Sequence, residues 1–281
     1  MRVAFQGEPG AYGEEAILRY FGATPVEAVA MPTFSAVCDS VDSAITDAAV
    51  LPLENSLAGT VGDALDVLAT GPLTVVGEIL QPIRHLLLVI PGVDLSHVER
   101  VTSHWQALSQ CDLFLSRHGW QLVPAADTAG AARQLSAEGD PHGAAIASER
   151  AAELYGLHIA ARDVQNSKHN VTRFAVIMSA GNRLPVAASP SAARQPRDQE
   201  TLITFETGHR PGDLVRALTA LADAGINLSR IESRPSGEGA WRYRFLIQVA
   251  GDAAVDPLRE ALANMRKHTR SMRILGSFTG G

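Results

Sequence analysis

Short apolar runs, each closed by a polar cluster, alternate with stretches of helical spacing along the first two thirds of the chain. Val3-Ala4-Phe5 reads as a buried strand, Glu14 to Phe21 as a helix and Val26 to Met31 as a further strand. Thr33 is placed to cap a helix reaching about Val41. Asp47 to Leu51 reads as a strand ending on the polar loop from Pro52 to Thr60, before a helix over Gly62 to Leu68. Strands over Leu73 to Leu80 and Leu86 to Ile90 follow. The pattern restarts at Val101 with a strand, a polar turn at Ser103-His104 and a helix through about Arg117. Strands over Leu122 to Ala125, Ala144 to Ala147 and His158 to Val164 enclose helices over Thr128 to Ala137 and Glu149 to Leu154. Phe174 to Met178 is a buried strand with a polar start, Asn170-Val171-Thr172-Arg173. Such alternation predicts largely parallel sheets with helices on both faces. The restart at Val101 predicts a second lobe and a ligand cleft between the two.

After Met178 the periodicity stops. Ser179 to Gln199 is rich in Ala, Ser, Pro and Arg and reads as an exposed linker. Beyond it come strand Thr201 to Glu206, helix Pro211 to Ala224, strand Ile226 to Ser233, strand Tyr243 to Val249, helix Val255 to Lys267 and strand Met272 to Leu275. That order, βαββαβ, is ferredoxin-like, and Gly225 is placed to stop its first helix. The expected division is residues 1–180, a linker at 181–199 and a second domain at 200–278, the last a regulatory or dimerising module that often packs on its own copy.

A length of 281 residues suits about two domains, and the 46% hydrophobic content supplies their cores. The net charge of −6, with scattered Lys and Arg, argues against a nucleic-acid surface. Two cysteines, Cys38 and Cys111, suggest no disulfide framework. The first residues lack the build of a signal peptide, and no apolar run has membrane-helix length, so a cytoplasmic protein is expected. The turn from Gln6 to Gly13 lets backbone approach a ligand closely, but its spacing is neither G-x-G-x-x-G nor a P-loop.

Three polar concentrations carry the candidate chemistry. Thr172 can donate a hydrogen bond at a strand end, and Arg173 can grip a carboxylate or pair with a nearby acid. Asn55, Ser56 and Thr60 sit in a strand-to-helix loop suited to a carboxylate, or to capping alone. Ser103 is placed both to cap a helix and to touch a ligand, beside His104, either a general base or a structural histidine.

Five strings in order, AFQGEPGAYG, LPLENSLAGTV, SHWQALSQC, NVTRF and GINLSRIESRP, make the chain resemble prephenate dehydratase with a C-terminal ACT domain, over nearly its whole length. The resemblance implies a periplasmic-binding-protein-like α/β region of two subdomains plus the βαββαβ ACT domain. It implies conversion of prephenate to phenylpyruvate, water and carbon dioxide with no metal or redox cofactor, because aromatisation drives the reaction. Thr172 is then expected at the leaving hydroxyl and Arg173 at the pyruvyl carboxylate. Asn55, Ser56, Thr60, Ser103, Gln106 and Phe174 are expected around the substrate, and Glu54 as structural. L-phenylalanine is the expected effector of a homodimer or homotetramer. Its expected contacts are Gly212 and Leu214 at a helix start, Asn227 and Leu228 at a strand start, and Glu232, Ser233, Arg234 and Pro235 beyond. Two departures stand out: Trp105 replaces the family's usual proline, and Asp213 replaces a small residue. Arogenate dehydratase and a non-catalytic amino-acid sensor are the alternative readings.

Overall fold

The computed structural model describes residues 1–182, 199–208, 210–237, 239 and 241–279. Most of the expected linker, residues 183–198, lies outside the described residues.

The first lobe is built from β1 (Arg2–Gln6), α1 (Tyr12–Phe21), β2 (Glu27–Met31), α2 (Phe34–Asp42), β3 (Ala48–Asn55), β4 (Gly59–Thr60), α3 (Gly62–Thr70) and β5 (Leu73–Pro82). The Thr33 hydroxyl accepts from Ala36 N at 3.1 Å, so the expected cap of α2 is formed. Its sheet runs β2-β1-β3-β11-β5, where β11 (Val171–Ser179) returns from the far end of the second lobe to lie between β3 and β5. β11 is antiparallel to both neighbours, whereas β1 pairs in parallel with β2 and β3. β3 outlasts its expected end at Pro52, because that residue, with no N–H to donate, falls where the register with β11 slips.

The second lobe comprises β6 (Leu86–Val89), β7 (Arg100–His104), α4 (Trp105–Gln110), α5 (Asp112–Leu115), β8 (Gln121–Ala125), α6 (Thr128–Glu138), β9 (Gly143–Ala147), α7 (Glu149–Tyr155) and β10 (His158–Ala161). Its strands run β10-β6-β9-β7-β8, with β7 parallel to β8 and β9, and β6 antiparallel to β9 and β10. Both sheets are therefore mixed rather than largely parallel. The helix expected through Arg117 breaks at Cys111, because Asn166 N takes the Gln110 carbonyl at 2.7 Å and ends the helical ladder. Two chain crossings join the lobes, one after β5 and one before β11.

The C-terminal domain has β12 (Gln199–Glu206), α8 (Asp213–Asp223), β13 (Leu228–Pro235), β14 (Tyr243–Ala250), α9 (Leu258–Arg266) and β15 (Ser271–Thr279). Its antiparallel sheet runs β13-β14-β12-β15, as the βαββαβ order requires. Ile203, Phe205, Ile247 and Val249 on one face pack against Ala217 and Leu221 of α8 and Leu262 and Met265 of α9. The other face packs not on a copy but on the first lobe of its own chain. There Leu202, Leu246, Leu275 and Phe278 share one core with Leu65, Leu68, Leu73 and Val75. Gly276 allows this approach, since a Cβ there would overlap the Val75 backbone. Arg273 tightens the junction by donating to the carbonyls of Leu68, Ala69 and Gly71 at the end of α3.

Among the described residues no helix is long and apolar enough to cross a membrane. Both thiols are free and buried, and burial pushes each up to about 12.

Candidate active site

The cleft between the lobes holds a cavity of about 250 Å³. The first lobe contributes Tyr12, Pro52, Asn55, Val61, Thr172 and Phe174, and the second His104, Gln106, Ala107, Gln110, Asp127 and Thr128. Ile83 and His85, on the crossing between the lobes, complete the lining. Apolar groups dominate, and among the described lining residues Asp127 carries the one permanent charge.

A buried hydrogen-bond chain fixes the polar groups. The N–H groups of Leu57 and Ala58 both donate to Asn55 Oδ1, at 3.0 and 2.9 Å, so the Asn55 amide must present Nδ2 to the cleft. That nitrogen donates to Asn170 Oδ1 at 2.7 Å and to Thr172 Oγ1 at 3.0 Å. Asn170 then donates through Nδ2 to Gln110 Oε1 at 2.9 Å, and the same oxygen lies 2.9 Å from His85 Nε2. Nε2 therefore donates to that oxygen, while Nδ1 lies 2.8 Å from the Tyr12 hydroxyl, whose single hydrogen also faces the Arg84 carbonyl at 2.9 Å. Because its oxygen already accepts from Asn55, the Thr172 hydroxyl has its hydrogen left to give into the cavity.

Burial holds the His85 imidazole below its ordinary value, against a smaller opposing effect of the Gln110 bond. With its folded value depressed, His85 is neutral above the unfolded value of about 6.5, and the stability that depends on that state is lost as pH falls through the folded value. Urea unfolding of the wild type should therefore weaken from about pH 6.5 downward. His85→Gln should flatten that acid limb; an unaltered limb would assign the proton uptake elsewhere.

Of the residues expected around a substrate, Thr172, Asn55, Gln106 and Phe174 meet in this cleft. Four others do not. Ser103 is fully buried inside the second sheet, its hydroxyl donating to the Ile146 carbonyl at 2.6 Å. Ser56 ties down the start of β11, donating to His169 O at 2.7 Å and accepting from Val171 N at 3.0 Å. Thr60 donates to the Glu232 carboxylate of the C-terminal domain. Arg173 lies behind the sheet, because successive strand residues face opposite ways and Thr172 takes the cleft side. Its Nη1 meets Glu78 at 2.7 Å, and Glu54 is 4.0 Å from Nε. Tyr12, His85, Gln110, Asp127 and Thr128 are not expected around a substrate from the sequence, since tertiary contact brings their segments to the cleft, whereas Asn170 opens the polar start of β11 that the sequence singles out. His104 does line the cleft, with Nδ1 accepting from Gln106 N at 3.4 Å and Trp105 tilted, exposed, against its ring.

Arg173→Met tests the placement behind the sheet. A carboxylate ligand removed should raise KM by tens of fold. From its observed place the loss should leave KM within about threefold and cost about 1.5–3 kcal/mol of stability, the value of a hydrogen bond to the charged Glu78. Chemical denaturation and initial rates on one preparation separate the two.

The residues expected to hold an amino-acid effector are divided. Glu232 and Arg234 point to the first lobe, Arg234 pairing with Asp66 through Nε at 3.1 Å and Nη2 at 2.6 Å. Gly212 adopts φ 83° before α8, Leu214 packs into the C-terminal core with Leu228, and Ser233 and Pro235 are exposed on the opposite face of β13. Asn227 gives its carbonyl to Ala250 N at 3.0 Å. The Asp213 carboxylate is engaged by Arg210 N at 2.9 Å and Arg216 Nη2 at 2.5 Å, which hold it below its ordinary value.

Comparison with known proteins supplies a further set of findings. The sequence profile of the family "Prephenate dehydratase" matches residues 3–182, and that of the ACT domain residues 201–266. Arogenate dehydratase/prephenate dehydratase 2 of Arabidopsis thaliana, a chloroplastic protein, is 37% identical over 287 residues, spanning 99% of this chain and 72% of that protein. The crystal structure of prephenate dehydratase from Arthrobacter aurescens in complex with L-Phe superposes with a TM-score of 0.89 at 32% identity, covering 99% of this chain and 90% of that one. GqqA, described as a novel type of quorum quenching acylase, superposes equally well, with TM-score 0.89, 33% identity and coverage of 100% and 98%.

Proposed function

Because the chain belongs to the prephenate dehydratase family, carries an ACT domain and is thereby a dehydratase, we propose that it acts on prephenate in the cleft, with Thr172 at the leaving hydroxyl. The observation that carries this reading is the Thr172 hydrogen left unengaged by the Asn55 amide. Prephenate loses its ring carboxylate as carbon dioxide, the electron pair entering the ring, while the C–O bond on the opposite ring carbon breaks with its electrons on oxygen. A donor aimed at that oxygen stabilises the charge as it grows. Phe174, Ile83 and Val61 give the ring apolar walls. A carboxylate held against such walls rather than by a guanidinium is poorly solvated, which favours its departure as a neutral gas. The side-chain amides of Gln106 and Gln110 offer uncharged donors for the side-chain carboxylate.

One observation favours arogenate as an alternative substrate. Asp127 faces the same cavity and would oppose a dianion, whereas the ammonium group of arogenate would pair with it. The acylase description of GqqA finds less support here. Acyl transfer uses a nucleophile activated by a base, but Thr172 is bonded to a neutral amide. The cleft hydroxyl bonded to an imidazole is that of Tyr12, a phenol held well above its ordinary value by burial. L-phenylalanine is proposed as effector through the ACT domain, whose Glu232 and Arg234 already grip the first lobe.

Purified protein assayed on prephenate and on arogenate, with and without L-phenylalanine, tests these points. Phenylpyruvate formed from prephenate with the higher kcat/KM, and a rate that changes with L-phenylalanine, is the expected result. Preference for arogenate by tenfold or more would reassign the substrate to the Asp127 reading.

A further inference from the structure

We propose that Arg230, on β13 of the ACT domain, is a positioning residue for the dehydration: it holds the irregularity in β3 that aims Asn55 at Thr172. The inference rests on the reading of the cleft given above and adds a residue from outside it.

Along the β3–β11 ladder Arg173 pairs with Glu54 and Phe174 with Pro52, so Leu53 is skipped. The Leu53 carbonyl, released from that ladder, accepts from Val61 N at 3.0 Å and from Arg230 Nη2 at 3.1 Å. Two residues further along the same strand, Asn55 donates to Thr172 Oγ1 at 3.0 Å. Arg230 is therefore the ACT domain's direct hold on the strand that orients the reacting hydroxyl.

The setting of Arg230 is costly. Its side chain is 7% exposed, with Glu54 at 3.5 Å and Glu232 at 4.0 Å as counter-charges, while Nε and Nη1 make no hydrogen bond. Desolvation depresses its proton affinity despite those carboxylates. An arginine buried with two nitrogens outside any hydrogen bond, one of them only 3.5 Å from the Glu54 carboxylate, is poorly explained by stability, since an apolar residue of its size would serve a packing role better. Its side-chain hydrogen bond is the one to the Leu53 carbonyl. Small shifts matter there, because a misplacement of about 1 Å in a reacting constellation can cost on the order of a hundredfold in rate.

A mutant cycle decides the matter. Arg230→Met keeps most of the stem and removes the charge and the donor. On the wild-type substrate kcat should fall by at least about tenfold with KM within about threefold, while circular dichroism and sedimentation stay as in the wild type. In a Thr172→Ala background the same change should cost less than about twofold, since nothing remains to be aimed. Arg230→Lys, which restores one donor, should recover part of the rate. Full kcat in Arg230→Met overturns the inference, and so does an equal loss in both backgrounds, the mark of general loosening. Should the Met variant fail to fold, the cycle run with Lys separates the same two outcomes. A wild type that turns over neither prephenate nor arogenate overturns the reading of the cleft and this inference together.

Discussion

Thr172→Ala should lower kcat by about 10²–10³, the typical cost of removing one donor aimed at developing charge, and leave KM nearly unchanged. The split follows from where the hydroxyl sits. Its oxygen is occupied by the Asn55 amide, so its contribution to the ground state is small, and its hydrogen is realised fully when the leaving oxygen becomes negative. Thr172→Ser keeps the hydroxyl in reach of the same amide and should retain most of the rate. Steady-state kinetics of both variants on prephenate and arogenate are the measurement. A KM that rises in step with the fall in kcat/KM would mean that Thr172 binds substrate and transition state alike, and the leaving-group role would pass to another donor of the chain.

Gly276→Ala should be the most damaging single methyl in the described structure. The added Cβ meets the Val75 carbonyl oxygen, carbon and nitrogen, and backbone cannot swing aside as a flexible side chain can. β15 must lift from β5, loosening the core that Leu202, Leu275 and Phe278 share with Leu68 and Leu73. A loss of about 3 kcal/mol, the upper range for overpacking, is expected, with increased binding of a hydrophobic dye. Chemical denaturation measures the first and fluorescence the second. If Arg230 acts as proposed, kcat should fall as well, because lifting the ACT sheet withdraws its hold on Leu53. Wild-type stability in the variant would show that the two sheets can separate without cost.

Much of this was legible in the chain. Apolar runs located nearly every strand and helix, and Thr33 caps its helix as expected, while the caps Ser148 and Asp127 emerge in the structure alone. The βαββαβ order gave the C-terminal sheet. The site was legible in part, for reasons that can be named. Thr172 and Arg173 looked like one functional pair because they are adjacent, yet a strand sends adjacent residues to opposite faces. Once β11 is known to be an interior strand of a sheet covered on both sides, one faces the cleft and the other the ACT domain. Ser103, within β7, and Ser56, just after β3, carry hydroxyls but spend them on backbone groups. Tyr12, Asn55, Gln110 and Asn170 lie within the strings singled out in the sequence, but the chain Asn55–Asn170–Gln110–His85–Tyr12 that joins them is not legible there, since each link joins segments distant in sequence.

The position of β11 also bears on how such a chain is made. Asn55 and Thr172 are 117 residues apart, and β11 emerges after every element of the second lobe. Until β11 has been made, the N–H and C=O groups of β3 and β5 that it pairs have no partner strand. The first lobe therefore cannot finish before the second has been produced, although its own residues come first. Open strand edges of this kind are templates for aggregation, and long-range closure is slow. Interruption anywhere ahead of residue 171 would release a fragment lacking that partner strand. For this architecture the vulnerable moment is the interval between the two crossings, and the strand that ends it is the one that brings Thr172 to Asn55.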